Sequence, residues 1–157
     1  MKLAIFDLDG TLNTSNKRSE FIPTDPTINE NWFRWHEAFR LEKLNTNLIK
    51  TADALYKAGY VIAIVSNRDE SLAEATQLYL SNNGFPPAHT IFRQRKDNRM
   101  PCDWKADTIK LLCQYIEGDV QHFDDDAVAI IKLTEFFKGR PVKYIPLHIN
   151  WDYAWLQ

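Results

Sequence analysis

The chain has 157 residues, of which 45% are hydrophobic, 13% aromatic and 25% charged, with a formal net charge of −2. That length suits one domain with a real core and little beyond it. No stretch approaches the roughly 18 apolar residues of a membrane span, and the charge balance gives no global footprint for nucleic acid or an anionic membrane.

The start, MKLAIFDLDG, has too short an apolar run, broken by acids, to read as a secretory leader. Cys102 and Cys113 show neither disulfide-framework nor CxxC spacing, so the expectation is two reduced thiols in a cytoplasmic protein.

In chain order, the run 2–7 (KLAIFD) predicts a first strand, closed by the acids and glycine of DLDGT. Residues 13–44 break the pattern: polar and proline-bearing to about Asp25, then a helical candidate, NENWFRWHEAFRLEKL. This stretch is expected to be a small flap-like or cap-like insertion in a single domain covering 1–157. A helix follows with Leu48, Ala52 and Leu55 on one face, then a strand at 60–66 (YVIAIVS). Leu72, Ala75, Thr76 and Tyr79 share the next helical face, and 89–93 (HTIFR) reads as a strand. Ile109, Leu112, Cys113 and Ile116 mark a third helix before a strand at 119–124 (DVQHFD). The last pair is a helix with Ala127, Ile130, Ile131 and Thr134 on one face and a strand at 142–147 (VKYIPL). Gly59, Gly84, Gly118 and Gly139 each fall just past one of these four helices, where a left-handed cap favours glycine. The alternation predicts an α/β fold with a central parallel sheet of about five strands flanked by helices. The terminal WDYAWLQ is expected to pack against the body or a partner.

The chemistry concentrates at the end of the first strand. Side chains alternate along a strand, so Asp7 and Asp9 face the same spot if the strand runs through both, at the carboxyl edge where open α/β sheets place ligands. Two such carboxylates repel, and either a proton or a cation must join them. With Mg²⁺ as that cation, Asp7 can serve as an oxygen nucleophile on phosphorus while Asp9 gives a proton to the leaving group and later takes one from water. Gly10 allows a sharp turn, and Thr11 offers a hydroxyl and backbone N–H groups to phosphate oxygens. A strand that merely ends in a D-G turn is the structural alternative.

DLDGTL after an apolar strand resembles the first signature of the haloacid dehalogenase (HAD) superfamily, whose phosphatases work through an aspartyl-phosphate. The resemblance implies a Rossmann-like HAD fold with a minimal cap and extends over roughly residues 2–138. It assigns Ser66, in IAIVSNR, to phosphate; Ser66 could equally cap the following helix. It assigns charge neutralisation at the nucleophile to Lys105, with Lys110 as competitor, and metal binding to Asp124 and Asp125 in HFDDD, beside Asp7 and Asp9. Asp126 reads as a helix cap. Within the superfamily the chain is similar to the phosphatase domain of phage polynucleotide kinase/phosphatase proteins. That likeness implies substrate roles for Arg18, for Asn67 and Arg68 (SNR where those domains have SGR), and for Arg93, with Asp97, Arg99 and Asp103 in the same segment. A phage protein would work in the host cytoplasm.

The expected activity is therefore a Mg²⁺-dependent phosphomonoester hydrolase acting on nucleic-acid 3′-phosphates, with a nucleotide or other small phosphate ester as the alternative. Arg93, Arg95, Lys96 and Arg99 form a local basic stretch that could hold a phosphate backbone. Trp32, Phe33, Trp35 and Phe39 could stack on a terminal base, although their spacing also fits a core-facing stripe. The four histidines show no metal or triad spacing. A phosphoacceptor receiver domain would carry its acceptor on the third strand rather than the first, and a non-catalytic binding module would have no need of Asp9. No G-x-x-x-x-G-K-[ST] is present, so the chain carries no P-loop kinase.

Overall fold

The computed structural model describes residues 1–151. Its sheet has the order β3-β2-β1-β4-β5, with every pairing parallel. The strands are β1 (Leu3–Phe6), β2 (Val61–Asp69), β3 (His89–Arg93), β4 (Gly118–Asp124) and β5 (Val142–His148). All four residues of β1 are buried, because the strand is central and both of its faces are covered. Its alternation splits the core in two. Ala4 and Phe6 pack with Ile49 and Ala52 of α2 (Thr46–Lys57) and Leu80 of α3 (Ala73–Asn82). Leu3 and Ile5 pack with Ile109 of α4 (Pro101–Cys113) and Leu133 of α5 (Ala127–Phe137). Truncating Ile5, which has no exposed surface, to Ala is expected to cost about 2–5 kcal/mol.

The helices start where their sequences supply caps. The Asn45 side chain accepts from Leu48 N at 3.1 Å, Asp126 accepts from Val128 N and Ala129 N at 3.0 Å each, and Pro101 occupies the first turn of α4.

Several expectations are corrected. The segment 29–44 is not one helix: it is a 3₁₀ turn at Asn29–Trp32, the short α1 (Phe33–Glu37) and a second 3₁₀ turn at Ala38–Leu41. The second strand does not stop at Ser66 but runs on to Asp69, with a shift of register against β3 between Ser66 and Asp69. Ser66 is therefore no helix cap; Asp69 takes that role by accepting from Ser71 N at 3.0 Å. The inward face of α5 is Ala129, Leu133 and Phe137, while Ile131 is 63% exposed. Gly118 opens β4 instead of ending a helix, and a Cβ there would meet Met1 O at 2.5 Å.

Trp151 donates through Nε1 to Thr11 O at 3.1 Å; the rest of the expected terminal contact, at 152–157, lies outside the described residues. Cys102 and Cys113 are free thiols. No helix among the described residues is long and apolar enough to cross a membrane.

Candidate active site

The site forms where β1 and β4 end side by side. Asp7 N donates to Phe123 O at 3.0 Å, so the β1–β4 ladder carries Asp7 alongside Asp124. Carboxylate oxygens of Asp7, Asp124 and Asp125 lie within 4.8 Å of one another. Lys105 enters this group from α4, with Nζ 3.3 Å from Asp7 Oδ2 and 3.0 Å from Asp124 Oδ1, and is 3% exposed. Lys110 instead points outward and pairs with Asp107 at 3.4 Å, which leaves Lys105 as the lysine of the site.

Burial, reinforced by the neighbouring carboxylates of Asp124, Asp125 and Asp9, pushes the Asp7 carboxyl well above its usual range despite Lys105. Asp125 is raised in the same way, by burial and then by Asp124. Burial opposes ionisation of Asp124 too, but Lys105 and a hydrogen bond from His122 outweigh it and lower its pKa. Lys105 stays charged, because Asp7 and Asp124 more than offset its burial. Three carboxylates against one ammonium leave an excess of negative charge. An all-oxygen donor set with that excess fits a hard divalent cation such as Mg²⁺.

Beyond Phe6 the chain turns. Gly10, at φ +93°, lies against Asp125, and a Cβ there would collide with that carboxylate. The turn corrects the expectation that Asp7 and Asp9 share one face of a continuous strand: the side chain of Asp9 lies outside the group of three carboxylates. It accepts instead from Arg18 Nη2 at 2.7 Å, Arg68 Nη2 at 2.6 Å and Asn13 Nδ2 at 3.1 Å. Burial alone would raise its pKa, but the charges of Arg68 and then Arg18 hold it well below the carboxylate range.

The two arginines are themselves buried. Arg18 also donates to Glu42 Oε1 at 3.1 Å and Trp35 O at 2.8 Å, and Arg68 to Thr76 Oγ1 at 3.0 Å and Asn13 Oδ1 at 3.2 Å. Their donors thus face Asp9 and the protein interior, whereas a direct substrate contact was expected. Thr11 is likewise buried, with its hydroxyl on Asp125 Oδ1 at 3.2 Å.

Asp7, Lys105 and Asp125 open onto a cleft of about 660 Å³, which Asp9, Ser66, Asn67 and Arg93 also line. Arg93 is 3% exposed; its Nη1 donates to Asn67 Oδ1 at 3.2 Å, its Nη2 to Arg99 O, and its buried Nε has no partner. Burial lowers its pKa. Two further arginines of the basic stretch are already paired, Arg95 with Asp69 at 2.7 Å and Arg99 with Asp97 at 2.6 Å. Asp103 pairs with Lys132 at 2.5 Å on the surface.

The segment 13–44 supplies one wall of the cleft, including Trp32, Trp35 and His36. Asn29 ties that wall to the loop after β3, donating through Nδ2 to Gln94 O at 3.0 Å while its N–H meets Asn98 Oδ1 at 2.9 Å. Trp35 has the Arg18 guanidinium 3.6 Å from its ring centroid. Phe39 is buried beneath Arg68 and Phe33 packs on Arg95, so neither lines the cleft.

Three residues without a sequence signal complete the picture. Glu42 is buried and holds Arg18, and His122 holds Asp124. His36 accepts Asp69 N–H on Nδ1 at 3.3 Å. Burial lowers the His36 pKa to about 4, so at neutral pH its one ring proton sits on Nε2.

A comparison with curated proteins returns no match. Solved structures similar to this chain include a chain of a Pnkp1/Rnl/Hen1 complex, at 19% identity and TM-score 0.63, covering 95% of this chain and 46% of that one. A chain of the Pnkp1/Rnl/Hen1 RNA repair complex matches at 18% identity and TM-score 0.62, with 95% and 43% covered. The chain thus spans less than half the length of these structural relatives, and the likeness is one of fold. The family model for HAD superfamily subfamily IIIB, acid phosphatase, matches residues 1–116. With its carboxylate-edged parallel sheet, the chain belongs to the HAD superfamily of phosphatases, in subfamily IIIB.

Proposed function

We propose that this phosphatase hydrolyses phosphomonoesters through an aspartyl-phosphate on Asp7 and takes 3′-phosphates from nucleic-acid ends. The observation that carries the reading is the pairing of Lys105 with Asp7 at the floor of the cleft, 3.3 Å apart, within the group of carboxylates. Asp7, Asp124 and Asp125 would hold Mg²⁺, which when bound neutralises charge at the phosphoryl group.

An Asp7 oxygen attacks phosphorus as the ester P–O bond breaks, and Asp9 protonates the departing alkoxide. Asp9, again a carboxylate, then takes a proton from water, whose oxygen attacks phosphorus and releases Asp7. Lys105 favours the ionised form of Asp7 against burial and its carboxylate neighbours, and orients it. Arg18 and Arg68 aim Asp9; by favouring its carboxylate form they favour its role as base and make proton donation the more demanding half. Ser66, Asn67 and Arg93 meet the phosphoryl oxygens.

The polynucleotide substrate is supported by the aromatic wall of Trp32 and Trp35, suited to a flat base, and by a fold shared with chains of an RNA repair complex. A mononucleotide is the second reading, favoured by the cleft volume of about 660 Å³, which is that of a small-molecule site. A panel of 3′-phosphate and 5′-phosphate oligonucleotides, mononucleotides and sugar phosphates, assayed with Mg²⁺, tests it. Preference for the 3′-phosphate oligonucleotide is expected, and faster turnover of mononucleotides or sugar phosphates overturns the polynucleotide assignment.

A further inference from the structure

Asp124 is the most restrained of the three carboxylates that gather around Lys105. It has no exposed surface and accepts from Lys105 Nζ at 3.0 Å and Asp126 N at 2.8 Å on Oδ1, and from His122 Nε2 at 3.0 Å on Oδ2. A carboxylate offers about four lone-pair positions, so one is left for a cation. Asp125, in contrast, meets the Thr11 hydroxyl at 3.2 Å, the Asp7 carboxyl and its own backbone.

His122 stands two residues before Asp124 on β4, hence on the same face of the sheet. It is fully buried, and its second nitrogen, Nδ1, lies 2.8 Å from the hydroxyl of Tyr144 on the adjoining strand β5. A carboxylate can only accept, so Nε2 carries the proton that meets Asp124. Nδ1 of a neutral ring is then an acceptor, and the Tyr144 hydroxyl supplies the hydrogen. The chain Tyr144, His122, Asp124 thereby fixes both the tautomer of the ring and the rotation of the carboxylate.

We propose that His122, locked by Tyr144, is a positioning residue that presents Asp124 to the divalent cation. This rests on the metal-dependent reading above. Outer hydrogen-bond partners of ligand side chains commonly contribute 10- to 100-fold in metal affinity, and a contribution of about tenfold is expected here.

The test measures Mn²⁺ binding by electron paramagnetic resonance of the free ion, beside turnover, for the full chain and three variants. His122→Leu removes the donor and should weaken Mn²⁺ binding about tenfold or more. His122→Gln places an amide N–H near the position of Nε2–H and should recover affinity to within about threefold of the unmodified chain. Tyr144→Phe keeps the ring but frees the tautomer, with an intermediate loss, and it remains informative should His122→Leu fail to fold. If the unmodified chain binds Mn²⁺ and both His122→Leu and Tyr144→Phe bind it equally well, the positioning role is overturned while the metal site stands. Equal losses for the Leu and Gln variants would reduce His122 to a packing residue. No Mn²⁺ binding by the unmodified chain would instead remove the metal-dependent reading on which the proposal rests.

Discussion

The Lys105 ammonium stands 3.3 Å from the Asp7 carboxylate, with both side chains at most 5% exposed. Neither charge is tolerable alone at that depth, so each accounts for the other. Replacing Lys105 by Met leaves Asp7, Asp124 and Asp125 facing one another, and a loss of about 3–5 kcal/mol is expected in urea denaturation. Added Mg²⁺ should restore part of that loss, because a cation bound only by the folded state shifts the equilibrium by mass action.

Asp7→Asn should lower turnover of any phosphomonoester by about 10⁴-fold or more, as for other lost nucleophiles. Its effect on stability has the opposite sign. The folded-state pKa of Asp7 is raised, so the folded protein binds the extra proton and stability falls as pH climbs from the unfolded value into that raised range. The Asn variant lacks this loss. Metal-free, it should melt at or above the temperature of the unmodified chain at pH 7, which differential scanning calorimetry checks.

The arginines separate by what they touch. Arg68→Ala removes a partner of Asp9, so kcat/KM should fall by similar factors for an aryl phosphate and a 3′-phosphate oligonucleotide. It should also destabilise the fold by about 3–5 kcal/mol, since Asp9 keeps its buried charge with one partner fewer. Arg93→Gln, at the cleft, should act mainly by raising KM. Steady-state kinetics on both substrates check the contrast.

Stability should fall at mildly acid pH through His36. Its folded-state pKa of about 4 lies below the ordinary 6.5, so the unfolded chain takes up a proton first. Stability is lost as pH drops from about 6.5 to 4, by up to about 3 kcal/mol. His36→Asn keeps an acceptor for Asp69 N–H and should flatten that limb in melting temperatures recorded from pH 4 to 7.

The strands were legible because a parallel sheet buried on both faces leaves continuous apolar runs, as in 2–7 and 60–66. The face of α5 was not legible: AVAII puts apolar residues on every side, and periodicity could not choose between Ile131 and Leu133. Asp7 was legible at the end of an apolar strand, whereas Lys105, Asp124 and Asp125 came into view through the family resemblance, and the fold brings all four together. The position of Asp9 could not, because the turn at Gly10 removes it from the strand's alternation. Glu42, His36 and His122 were invisible as lone polar residues, since their partners Arg18, Asp69 and Asp124 meet them only through the fold.

The central claim is a double displacement at phosphorus with Asp7 as the intermediate carrier. It is tested most directly by hydrolysing a phosphorothioate monoester, chiral through ¹⁶O and ¹⁸O, in H₂¹⁷O and determining the configuration of the inorganic thiophosphate released. Two in-line steps predict net retention of configuration, and net inversion would mean that water attacks the substrate in a single step.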